Sequence, residues 1–170
     1  MSGPVRRPPL VVVLVAVVVI ALGETAGAAM SRLRPQIERY AAARVAANAG
    51  AHGLSGSAEY DDDVRDRAIF TAEAGLSFFH LHAEGLGLVL FFASTLASAV
   101  PGRTMRGALY VLLTLGGLFP LGYLAYGAAV LEVGRDTGVE LAERSILTPL
   151  GLAAIAGLLG LVLGLARRRA

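Results

Sequence analysis

His80, His82 and Glu84 fall within one short stretch of otherwise apolar residues. An imidazole there can ligate iron or another metal, relay a proton, or hydrogen-bond across helices, and a carboxylate one turn away can orient the ring or raise its basicity. Ionisable groups are costly inside a bilayer, which makes all three functional suspects. On a helix, Glu73, Ser77, His80, Glu84, Gly87, Thr95 and Ser98 fall within about 40° of one line, so one face is polar along its whole length. His82 lies about 200° round from His80, which keeps the pair from ligating one metal on a regular helix. The two rings can serve two centres, or His80 can face the bundle interior while His82 meets a second subunit. Tyr123 and Tyr126 are expected at nearly the same depth, where a hydroxyl could orient a histidine or reach a ligand. There is no Cys, which excludes disulfides, thiolate metal sites, iron–sulfur ligation and covalent haem attachment.

The elements that must position these groups are apolar helices. Hydrophobic residues make up 55% of the 170, above the roughly 45–50% of a soluble domain, and the surplus must meet lipid. Arg6, Arg7, Arg103, Arg106, Arg167, Arg168 and Arg169 sit in three short segments without an acid, the positive-inside pattern. Ser31 to Phe70 and Glu132 to Arg144 mix Arg with acids and belong outside. The expected fold is an all-α, integral membrane four-helix bundle with both termini cytoplasmic and a partly helical outer segment.

The first span, about Pro9 to Met30 within a segment 1–30, reads as an uncleaved anchor, with a signal peptide as the alternative. Glu24 on its outer half is a carboxylate of the interface or a partner for an Arg. The outer segment 31–73 holds a helix over Gln36 to Asn48 and then a Gly-rich loop, on which His52 is expected to be solvated. Asp61, Asp62 and Asp63 supply negative charge at a helix start, and Asp63 with Arg67 makes an i,i+4 pair. A calcium loop is the sharper reading of three Asp, but its spaced ligands and Gly are missing. That helix should run unbroken into the second span, about Leu76 to Val100. A membrane unit 74–170 then adds a third span, about Gly107 to Leu131, kinked at Gly116 to Gly122, and a fourth from Ile146 to Ala166. On the fourth, Ala153, Gly157, Gly160 and Gly164 form a stripe suited to close helix approach.

Phe79-His80-Leu81-His82, followed by Gly85-Leu86-Gly87 and an apolar run, resembles the helix of the haem–copper oxidase and nitric oxide reductase catalytic subunit that carries a His-x-His pair. Leu118-Phe119-Pro120 is similar to a Phe-Phe-Pro-type element on the next helix of that family. The likeness covers about Ala74 to Ala166. It implies a helix running outside to inside, with the pair near its outer end binding haems on opposite faces. The chain departs from the family in having no His on another span to complete a low-spin haem and no His cluster for copper, so an oxygen- or nitric-oxide-reducing centre within this one chain is not expected. A haem b held by one His per subunit, a metal site on His80 and Glu84 completed by a partner, or the fold without a cofactor are the readings it leaves.

Three functions therefore stand open. The first is an electron-transfer or sensing module of a bacterial inner membrane, using His80 or His82 for haem b as a homo-oligomer or as a subunit of a respiratory complex. The second is a non-catalytic membrane subunit or assembly factor whose polar seam and glycine faces serve helix packing. The third is a proton or solute path along Glu73, His80 and Glu84, which would need an oligomer to enclose it. No nucleophile triad, phosphate loop or nucleic-acid surface is present in the sequence. Topology accounts for the Arg clusters, so the partners expected are the lipid bilayer and other membrane subunits, not nucleic acid.

Overall fold

The computed structural model describes residues 7–167, and the regular structure among them is helical throughout. Arg6, Arg168 and Arg169 of the positive-inside pattern lie outside the described residues. The helices are α1 (Leu10–Arg32), α2 (Arg34–Ala47), α3 (Ala58–Ala97), α4 (Arg103–Gly117), α5 (Leu121–Val133), α6 (Arg135–Ala142) and α7 (Thr148–Ala166). A π-helical stretch, Glu143–Leu147, joins α6 to α7. Four helical stretches are long and apolar enough to cross a membrane: α1, α3, α4 with α5, and α6 through α7.

The 40-residue α3 is the central element, continuous from its acidic start into the apolar run as its composition predicts. It starts three residues earlier than the Asp cluster. Asp61 does not open the helix but clasps the preceding loop, its carboxylate accepting the Ser55 and Gly56 N–H groups, each at 2.8 Å. The expected Asp63–Arg67 pair forms at 2.8 Å. Antiparallel to α3, α1 lies so close that a Cβ on Gly23 would stand 2.5 Å from the Ala83 Cβ, while Gly87 of α3 faces Ile20. On another flank α5 crosses at Gly75 and Gly127, each of which approaches backbone of the opposite helix.

The third span breaks where its sequence predicts. Pro120 has no N–H to give the helix and its ring displaces the preceding turn, so Leu118 to Pro120 form a turn between α4 and α5, with Phe119 N–H bonding the Gly116 carbonyl at 3.1 Å. The small-residue stripe of α7 packs as expected: Gly157 lies against Leu112 and Leu113, Gly160 against Leu109 and Gly164 against Val100, while Gly116 meets Ala154. Leu90, Ala97, Leu109, Leu113 and Leu161 form the apolar core of this end. The fourth helical stretch begins at Arg135, well before Ile146, because Gly134 turns the chain directly from α5 into α6.

His52 is not solvated. The Asn48–Gly53 turn folds back over the end of α5, leaving the residue only 9% exposed, and the His52 Nε2 lies 3.2 Å from the Leu131 carbonyl. Asn48 Nδ2 donates to the same carbonyl at 3.1 Å. Carbonyls in the last turn of a helix lack intrahelical donors, and this one recruits two side chains from the loop. Arg44 on α2 grips Glu132 with two hydrogen bonds, through Nε at 2.8 Å and through Nη2, and this holds the Arg44 guanidinium above its ordinary range. Glu24 is exposed on α1 and pairs with no Arg among the described residues.

Candidate functional site

Over Glu73 to Gly87 the polar face of α3 points at α1 and at the turn that follows it, whereas Thr95 further along is exposed and bonds the Phe91 carbonyl of its own helix. His80 Nδ1 lies 3.0 Å from the Gly23 carbonyl and 2.8 Å from Glu84 Oε1, the latter contact being an ion pair only when the imidazole carries its second proton. The ring rests on Gly27, where a Cβ would come within 2.6 Å of the His80 Cε1. A turn earlier on α3, the Ser77 hydroxyl faces the Met30 sulfur at 3.5 Å. Beyond it stands Glu73, whose Oε1 is buried and has no hydrogen-bond partner among the described residues. Of the path drawn through Glu73, His80 and Glu84, only the His80–Glu84 step is a direct contact; no hydrogen bond joins Glu73 to His80 among the described residues.

His82 turns away, as its angular offset requires. Its Nδ1–H donates to the Phe78 carbonyl at 2.8 Å, and its ring stacks on Tyr123 with centroids 4.7 Å apart and planes at 37°. Phe119, from the turn between α4 and α5, meets it edge-on at 5.7 Å, and Phe78 closes a third side at 6.4 Å. Tyr123 therefore reaches His82, but through its ring, not its hydroxyl. Tyr126 packs against Gly75, one helical turn from Tyr123.

The spacing of His80 and His82 told their faces apart, whereas Gly23 and Gly27 were missed as the wall of the His80 site. The signal was a Gly-x-x-x-Gly pattern in an apolar helix, which lets backbones approach closely. It overlaps Gly23-Glu24-Thr25, which reads as a polar tail. Phe119 was likewise missed as a neighbour of His82, although its Pro120 marked the break that swings it inward.

Haem ligation needs an axial nitrogen facing a slot wide enough for a porphyrin. The His80 ring is seated on Gly27 with its Cε1 and both nitrogens against it, and three aromatic rings flank the half-exposed His82. As packed, the His80 ring therefore does not fit a haem held within one chain. Among the described residues no three His, Asp or Glu side chains converge as metal ligands, so the His80–Glu84 pair would need a second chain to complete a metal site. Comparison with protein-family models, with curated proteins and with solved structures finds no match for this chain.

Proposed function

We propose that the chain is a multi-pass protein of the bacterial inner membrane, with both termini cytoplasmic, acting as a subunit or assembly factor whose polar seam on α3 fastens the bundle together. The contact between His80 Nδ1 and the Gly23 carbonyl carries this reading, because it ties two helices at their closest approach. Apolar side chains gain nothing by leaving lipid for one another, so helices associate through small-residue packing and interhelical hydrogen bonds, and the α1–α3 contact has both. The distribution of Arg and acids supports the orientation.

His80→Ala is expected to lower unfolding stability in detergent by about 1–2 kcal/mol, since it removes one interhelical hydrogen bond and leaves Glu84 without its neighbour. An optical spectrum of the same protein, purified after haem supplementation, should show no Soret band. A Soret band abolished by His80→Ala or His82→Ala would overturn the packing reading in favour of a haem b electron-transfer or sensing module completed by a second chain.

The absence of native Cys makes the orientation directly measurable. Ser55→Cys should react with an impermeant maleimide added to spheroplasts, and Thr104→Cys only after permeabilisation. Both positions are exposed in the fold. The reverse pattern would invert the proposed topology.

A further inference from the structure

Glu73 stands where α1 ends and the chain turns at Leu33 into α2. Its buried Oε1 has no protein donor among the described residues, a costly condition for a carboxylate oxygen. The side chain lines a cavity of about 270 Å³, with Arg34 and Ser77 as the other polar groups and Met30, Ile37 and Leu76 as the apolar wall. Arg34 engages Glu38 through Nε at 2.9 Å, which leaves the Nη side of its guanidinium for another anion. A second cavity of about 210 Å³ shares Ile37, Glu73 and Leu76 and is lined further by Leu124, Ala128 and Leu131, with Tyr40, Tyr123 and the Arg44-paired Glu132 at its edges. One carboxylate and one guanidinium thus flank a space that adjoins a mainly apolar slot.

We propose that this site binds the headgroup of a zwitterionic aminophospholipid. The primary ammonium donates to Glu73, the phosphate is held by Arg34, and the upper part of an acyl chain lies along Leu76 into the adjoining cavity. Position favours a lipid source, since the cavity sits where the apolar run of α1 gives out near Met30 and that of α3 begins near Leu76, the level at which headgroups meet a spanning helix. The volume falls just below the roughly 300–1,000 Å³ of pockets that enclose whole small molecules, which suits a headgroup. An ammonium with N–H donors satisfies the Glu73 oxygen, whereas a quaternary choline has none to offer. The assignment rests on the bundle spanning a membrane.

Native mass spectrometry of the full chain, delipidated in detergent and offered equal amounts of phosphatidylethanolamine, phosphatidylcholine and phosphatidylglycerol, tests it. Phosphatidylethanolamine should be retained about tenfold more strongly than either competitor, the size expected for one charge-assisted hydrogen bond. Glu73→Gln should abolish that preference, and Arg34→Gln should weaken retention of all three lipids. Equal retention of the ethanolamine and choline lipids by the natural protein overturns the proposal, as does an unchanged preference in Glu73→Gln. Displacement of the lipid by an equal concentration of glycerophosphoethanolamine would also overturn it, pointing to a soluble zwitterion. If Glu73→Gln does not yield folded protein, the natural chain's selectivity and Arg34→Gln decide. Release of the protein from membranes by alkaline carbonate would instead defeat the membrane-spanning reading itself, a result separate from any lipid preference.

Discussion

Gly23→Val is expected to lower unfolding stability in detergent by about 2–4 kcal/mol, combining overpacking with loss of a cross-helix hydrogen bond. A Cβ at this position would stand 2.5 Å from the Ala83 Cβ, and the remaining branches would face the His80 carbonyl, already 3.5 Å from that Cβ. No rotamer change relieves a clash between a Cβ and another Cβ, so α1 and α3 must part. When they part, the Gly23 carbonyl leaves the reach of His80. Gly85→Ala is the matched control on α3, because a Cβ there meets nothing within 4 Å; it should be neutral or stabilising by up to about 1 kcal/mol. Thermal or denaturant unfolding of both variants reads the difference. Equal stability of the two would show that α1 is not held against α3 in the way the structure describes.

That prediction depends on a feature the sequence displayed but did not explain. Four apolar stretches, an unbroken α3, the break at Pro120, the Asp63–Arg67 pair and the opposite faces of His80 and His82 all follow from local periodicity, hydropathy and proline chemistry, and all appear in the fold. What needed the structure was contact between segments distant in the chain. His52 reads as a loop residue because its acceptor, the Leu131 carbonyl, lies 79 positions away. Glu73 belongs to the polar line of α3 by angle, yet its surroundings depend on the turn at Leu33, which brings Arg34 and Ile37 alongside it. The first span reads as an anchor by composition, while its role as the wall of the His80 site resides in two glycines whose partners are on another helix.

The end of the bundle that carries α2 is held by a different device. Arg44, Asn48 and His52 reach from α2 and the following turn to the last residues of α5, so this segment and α5 close on each other through side chains grouped around Leu131 and Glu132. Val45 and Ala41 of α2 pack with Ala68 and Val130 in a small apolar cluster directly beneath. This second assembly leaves the His80 seam and the aromatic cluster around His82 to one side, and it brings Ala51 against the corner at Gly134.

Gly134→Ala should therefore lower stability by about 2–4 kcal/mol. Gly134 has φ +88° and ψ 160°, a region open essentially to glycine alone, and holding alanine there costs roughly 1–3 kcal/mol. Its Cβ would also collide with the Ala51 carbonyl, which belongs to the turn that delivers Asn48 and His52 to Leu131. Backbone strain by itself would lower stability without altering that turn. The collision predicts more: faster amide hydrogen exchange across Ala49 to Leu54 in Gly134→Ala, together with uncapping of the Leu131 carbonyl. Gly107→Ala, with nothing within 4 Å of the new Cβ, should leave both stability and exchange close to those of the natural chain. Unchanged exchange in the Asn48–Gly53 turn of a destabilised Gly134→Ala protein would assign the whole loss to backbone conformation and remove the turn from the account of how α5 is capped.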